Sequence, residues 1–280
     1  MFPRSGPVER LLQRDGAHIS EAGRTLLLLH GEVRPRAVLL FHGFTSSPKQ
    51  FQRYARALFE RGHNVIVPRL PHHGRQDRLT EALSGITQER LRAFSSESLD
   101  AARTLGERVT VAGFSAGGTL ALGLAQREEF DRAVAIAPFF GAAVIPRPLM
   151  NGICTLLLRL PNRFLWWDPV RRERQMPEHG YPRYPTHALA RLYRFSRDIV
   201  DGAATAPPKA REVIVVMNAG EASVSNAATR DLVARWRRTG AHVEQRVLRA
   251  MPPSHDIIEP ERRGDLAERV FPAILDAIDA

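Results

Sequence analysis

The chain has 280 residues, 44% hydrophobic and 25% charged, enough to bury a large core in the manner of a globular protein. No apolar run approaches the roughly 20 residues of a membrane span, the N-terminus lacks the apolar core of a signal peptide, and the single cysteine, Cys154, excludes an intrachain disulfide; cytoplasmic residence is expected. The formal charge of +10 is carried almost wholly by arginine, and without basic runs interleaved with aromatics it reads as a solvated surface, so nucleic acid is not an expected partner.

In chain order, Ala17–Ser20 and Thr25–His30 read as a short hairpin around a turn at Glu21–Arg24. Ala37–Phe41 is a continuous apolar run of strand length, typical of a parallel strand covered on both faces. Phe51, Tyr54, Ala55, Leu58 and Phe59 have helical spacing within 48–61, and Gly62 stops that helix. Asn64–Pro68 is another buried-type strand, and 87–105 is helical in pattern. Strand 109–112 leads through Gly113-Phe114-Ser115-Ala116-Gly117 into a helix over 118–125.

Beyond Arg132–Ala137, the next strand, the alternation stops. Residues 142–209 are rich in proline, arginine and aromatics, and read as a cap inserted over the sheet's carboxyl edge. Cys154, in an apolar run of this segment, is expected to be a packed small hydrophobe. Strand Glu212–Met217, an amphipathic helix over 231–238, strand Val243–Leu248 and a final helix complete the pattern. Alternating strands and helices predict an α/β fold, with a mostly parallel central sheet and helices on both faces. The core is expected to comprise 1–141 and 210–280, with 142–209 as the insertion.

Gly-x-Ser-x-Gly between a strand and a helix sets a serine on a sharp turn with its hydroxyl exposed as a nucleophile. Ser115 is that candidate. A serine needs an adjacent base, and His255 lies in the loop between the last strand and the last helix. The base needs a carboxylate to orient it, and Glu221 is the one acidic side chain in the loop after strand 213–217. Two backbone N–H groups should face the developing oxyanion: that of Ala116, and that of Phe44 in the loop opened by His42-Gly43, with Thr45 as the neighbouring alternative. Phe139, Phe140, Phe164, Trp166 and Trp167 are candidates either to line an apolar acyl pocket or to form the cap's own core. Adjacent His72 and His73 lack spaced partners, so no metal site is expected.

Leu39–Thr45, Pro71–Gly74, Gly113–Gly118 and Ser254–Asp256 stand in an order that resembles the α/β-hydrolases. The nearest likeness is the esterase, lysophospholipase and monoacylglycerol-lipase branch. The resemblance covers about 36–141 and 210–280. It implies an α/β-hydrolase fold, a serine–acid–histidine triad in that chain order, and no cofactor. In that branch the acid is usually aspartate where this chain has Glu221, and Pro-Gly-His-Gly is usual where it has Pro71-His72-His73-Gly74. The expected activity is cleavage of a small carboxylic ester with an apolar part through an acyl-enzyme. Thioester or amide hydrolysis and acyl transfer would use the same residues. A non-catalytic binder on the same fold is the alternative of another class. The chain has no segment to integrate into a membrane, while the arginine-rich cap leaves room for a peripheral contact.

Overall fold

The computed structural model describes residues 6–280. The central sheet is built from β1 (Leu26–Leu28), β2 (Arg34–Phe41), β3 (Asn64–Val67), β4 (Gly106–Phe114) and β5 (Arg132–Ile136), with two more strands later in the chain. A separate ribbon pairs β6 (Phe164–Trp166) with β7 (Arg183–Pro185), antiparallel. The main sheet is completed by β8 (Glu212–Asn218) and β9 (Val243–Leu248), in the order β1-β3-β2-β4-β5-β8-β9. Only β1 is antiparallel to its neighbour; the rest run parallel.

The inner lengths of the central strands are apolar because both faces are covered. Along β2, Ala37, Leu39 and Phe41 enter one core while Val38 and Leu40 enter the other. On β8, Val213, Val215 and Met217 join the first core, Ile214 and Val216 the second. This is the period-two alternation of a strand applied to a two-sided sheet. The described helices run in chain order: α1 (Pro7–Leu12), α2 (Gln52–Glu60), α3 (Gln88–Arg103), α4 (Ala116–Arg127), α5 (Arg147–Leu157), α6 (Thr186–Gly202), α7 (Asn226–Arg238) and α8 (Pro260–Asp279). Side chains of α3, α4, α6 and α7 fill the first core, and those of α2 and α8 the second. None of the described helices is long and apolar enough to cross a membrane.

Two local readings change. Ala17–Ser20 does not pair with Thr25–His30: Ile19 bridges Arg75, and β1 pairs with β3. Between them, Glu21–Gly23 forms a 3-10 turn capped by the Ser20 hydroxyl. The β3 edge takes up the backbone groups of β1, leaving no partner role for 17–20. Helix α7 begins five residues before the expected 231, because Ser225 caps it by accepting from Ala228 N–H.

β5 and β8 are direct neighbours, Arg132 opposite Glu212 and Ile136 opposite Val216. Residues 142–209 therefore leave and rejoin the sheet between adjacent strands. They contribute α5, the β6–β7 ribbon and α6. Helix α6 lies against α4, with Phe195 filling the space beside Gly123. Cys154 is buried on α5, and that burial pushes its thiol up to about 11, so it is no nucleophile near neutral pH.

Candidate active site

The loops after β2, β4, β8 and β9 converge at the carboxyl edge of the sheet, where open α/β sheets bind ligands. At the end of β4 the chain reverses sharply into α4. Ser115 sits on the corner with φ 55° and ψ −116°. A non-glycine residue there is strained by about 1–3 kcal/mol and persists only when its surroundings hold it. They do: Ser115 N–H donates to Ile136 C=O at 2.9 Å, and its carbonyl accepts from Thr119 N–H at 3.0 Å and Phe139 N–H at 3.2 Å. The flanking glycines are steric requirements. A Cβ on Gly113 would fall 2.2 Å from Gly117 carbonyl atoms, and one on Gly117 would fall 1.9 Å from Phe41 O. The second contact shows how closely α4 abuts the loop after β2.

His255 reaches the serine from the loop after β9. Its Nε2 lies 2.8 Å from Ser115 Oγ, and its Nδ1 lies 3.0 Å from Glu221 Oε2. An ionised carboxylate only accepts, so Nδ1 carries the proton and Nε2 is free to accept from the serine hydroxyl. The ring packs on Phe114 with centroids 4.9 Å apart.

The Glu221 side chain is wholly buried. Its longer stem folds back over its own loop, and Oε1 accepts from Ser223 N–H at 2.7 Å and Val224 N–H at 3.3 Å. Burial acts to raise its pKa, but the His255 hydrogen bond and charge, with the two backbone donors, outweigh it and hold the carboxyl below the ordinary glutamate value.

Asn218 is a part of the site that sequence reasoning missed. It is fully buried at the end of β8. Its Nδ2 donates to Pro252 O at 3.0 Å and Ser254 O at 2.9 Å, while Oδ1 accepts from Gly220 N–H at 2.9 Å. One amide thus ties the Glu221 loop to the His255 loop. The available signal was a polar residue closing a buried strand.

The loop after β2 is held by two neutral histidines. His42 Nδ1–H donates to Gly43 O, and its Nε2 accepts from Leu70 N–H. His73 Nδ1–H donates to Pro71 O, and its Nε2 accepts from Thr45 N–H at 3.2 Å. Thr45 N–H is therefore occupied. Among the described residues the N–H groups of Phe44 and Ala116 have no hydrogen-bond partner. His72 turns away, its Nε2 accepting from the Arg90 guanidinium at 2.8 Å. Among the described residues no three His, Cys, Asp or Glu side chains gather as metal ligands.

The aromatic candidates separate. Phe139 and Phe140 are buried in the first core, and Phe139 meets Ser115 through its backbone. Phe164 lies beneath the Arg183 guanidinium. Trp166 stands opposite Arg183 in the ribbon. Trp167 packs at a tilt on Tyr184 with ring centroids 4.1 Å apart, meets Phe44 edge-on at 6.3 Å, and donates from Nε1 to Thr45 Oγ1 at 2.9 Å. Tyr184, which was not among the pocket candidates, also meets Phe44, at 6.2 Å.

Burial holds His42 well below the ordinary histidine pKa of 6.5, and pushes His73 down to about 3. The unfolded chain would protonate both near 6.5. Between about 6.5 and about 3 it carries the extra protons, so stability is lost as pH falls. The lowered carboxyl of Glu221 adds loss of the same sign at lower pH. Denaturant melts should show stability falling by up to about 1.4 kcal/mol per pH unit for each histidine. His73→Gln should make that slope shallower; an unchanged slope would mean that His73 is not held neutral.

A sharp strand–helix turn bearing a serine, within reach of a histidine and a carboxylate at the edge of this sheet, defines an α/β-hydrolase. The model of the alpha/beta hydrolase family matches residues 38–269, and the chain belongs to that family. It is similar to the thermostable monoacylglycerol lipase of Bacillus sp. (strain H-257), 33% identical over 168 residues, 59% of this chain and 63% of that protein. The match thus spans less than two thirds of that relative. Among solved structures, Paleococcus ferrophilus monoacylglycerol lipase superposes with a TM-score of 0.66 at 14% identity, covering 90% of this chain and 98% of that one. A soluble variant of Saccharomyces cerevisiae monoglyceride lipase gives 0.69 at 13% identity, covering 91% of each. Likeness at those identities is likeness of fold.

Proposed function

We propose that this chain is a serine hydrolase that cleaves carboxylic esters with an apolar acyl or alcohol part, of carboxylesterase or monoacylglycerol-lipase type. The observation that carries the reading is the continuous hydrogen-bonded chain from Ser115 Oγ through His255 to the buried Glu221. Ser115 attacks the ester carbonyl while His255 Nε2 takes its proton. Glu221 keeps the imidazole in the required tautomer and stabilises the imidazolium. The Phe44 and Ala116 N–H groups, without a hydrogen-bond partner among the described residues, bind the oxyanion; one such donor typically contributes about a hundred- to a thousandfold in turnover. His255 then protonates the leaving alcohol, and water repeats the sequence on the acyl-enzyme.

The ester class draws support from the name of the Bacillus relative, a monoacylglycerol lipase. Residues 142–209 serve in this reading as the cap, with 1–141 and 210–280 as the hydrolase core. Phe139, Phe140, Trp166 and Trp167 are the first candidates for its acyl pocket, and the position of Trp167 beside Phe44 favours it most.

Aryl esters of increasing chain length and a monoacylglycerol, assayed beside Ser115→Ala, test the reading. Ser115-dependent turnover that rises with acyl length before reaching a plateau is expected. Turnover confined to thioesters or amides would contradict the ester assignment.

A further inference from the structure

Thr45 follows the proposed oxyanion donor Phe44 and has φ 64°, a left-handed conformation that a β-branched residue seldom takes. Each of its polar groups is engaged. Its N–H donates to His73 in the core, and its carbonyl accepts from Tyr181 N–H of the cap at 2.7 Å. Its hydroxyl accepts from Trp167 Nε1–H of the cap and donates to Phe44 O at 2.6 Å. A polar relay therefore runs from the cap indole through the Thr45 hydroxyl to the Phe44 carbonyl. Two of the four bonds that hold this strained residue come from the segment 167–181.

Three further contacts fasten the same segment beside the same loop. His179, almost fully buried, meets Ser47 Oγ through Nδ1 at 2.9 Å, and its Nε2 lies 3.3 Å from Glu259 at the start of α8. Tyr181 Oη donates to His72 O at 3.1 Å and accepts from Arg75 N–H at 2.9 Å. The Arg78 guanidinium donates to the carbonyls of Glu173, Gln175, Pro177 and Gly180. The cap is bolted to the oxyanion loop at this end.

We propose that the cap is a working part of the oxyanion hole, and that Trp167 is a positioning residue that holds Phe44 N–H on target through Thr45. The proposal rests on the serine-hydrolase reading above. Strain at Thr45 explains why several bonds are needed: a residue in that conformation relaxes when its supports are removed, and the loop carrying Phe44 moves with it. Such misplacement weakens binding of the transition state without weakening binding of the ground-state ester, so the loss falls on kcat. A tryptophan that merely lined the acyl pocket would act differently. Its removal would change KM, and by an amount that depends on chain length.

The test uses the full chain with esters from acetate to a long acyl group. Trp167→Phe keeps a ring against Tyr184 and removes only the N–H. It should lower kcat about tenfold, the worth of one lost hydrogen bond, equally for every chain length, with KM within about twofold. Thr45→Ala should lower kcat similarly and Thr45→Ser should restore it, so this pair decides the matter if Trp167→Phe folds poorly. In the double variant Trp167→Phe/Thr45→Ala, kcat should fall no further than in Thr45→Ala, because both changes cut one relay. An unchanged kcat with a KM change that grows with chain length, or effects that multiply in the double variant, would overturn the proposal. Ser115→Ala is run alongside: turnover that survives it overturns the hydrolase reading and the relay together, while Ser115-dependent turnover indifferent to Trp167→Phe overturns the relay alone.

Discussion

Ser115→Ala is expected to lower ester turnover by about a million-fold, the scale on which a serine nucleophile is lost from a triad. The structure gives the reason for so large an effect. Among the described residues, Ser115 Oγ is the one hydroxyl that hydrogen-bonds His255 Nε2, at 2.8 Å. The nearby Thr119 hydroxyl is committed to the Phe139 carbonyl at 2.8 Å and cannot substitute. The fold should be spared. The Ser115 backbone bonds to Ile136, Thr119 and Phe139 do not involve its side chain, so the melting temperature should stay close to that of the parent. Steady-state kinetics and a thermal melt on the same preparation check both halves. Substantial activity in a folded variant would place the nucleophile elsewhere.

Glu221→Gln should be nearly as damaging, lowering turnover by about ten-thousandfold. The substitution keeps the length of the side chain and changes only what it offers. A glutamine turned to present its N–H₂ to His255 makes Nδ1 an acceptor. That moves the imidazole proton to Nε2, where it can no longer receive the proton of Ser115. A glutamine turned the other way keeps the tautomer but withdraws the charge that stabilises the imidazolium. Its Oε1 would then face His255 while its nitrogen confronts Ser223 N–H and Val224 N–H, two donors that need an acceptor. Either arrangement loses something that the carboxylate supplies. The expected result is a fall in kcat with KM little changed. Retention of most of the activity would show that another group orients His255.

That Ser115, His255 and Glu221 come together was legible because each lies in a loop beyond a predicted strand, although only β4 and β8 end in largely apolar runs and β9 carries Glu244, Gln245 and Arg246. In a parallel sheet the ends of such strands share one edge, so residues far apart in the chain have a common destination. The position of the candidate oxyanion loop after β2 was readable for the same reason. That Thr45 N–H is occupied was not, because its partner is His73, whose ring captures it across a gap of 28 residues in sequence. The geometry of Glu221 was hidden as well: nothing local shows that a longer acid folds back to accept from Ser223 and Val224.

The segment 142–209 was least legible. Trp166 and Trp167 are adjacent, and neighbouring residues of an extended ribbon point to opposite sides. Only the register of the ribbon, with Trp166 opposite Arg183, decides which indole reaches Thr45. The expected hairpin at 17–30 failed for a related reason. Local apolar patterning shows that β1 is a strand without showing that its partner is β3, 39 residues on for the central pair Leu27 and Ile66.

The most direct test of the central claim is to label the protein with a fluorophosphonate and map the adduct by peptide mass spectrometry. The expected result is one phosphonyl adduct, on Ser115, formed at a rate matching the loss of esterase activity and absent from Ser115→Ala. An adduct on another residue, or esterase activity that persists when Ser115 is fully modified, would contradict the account.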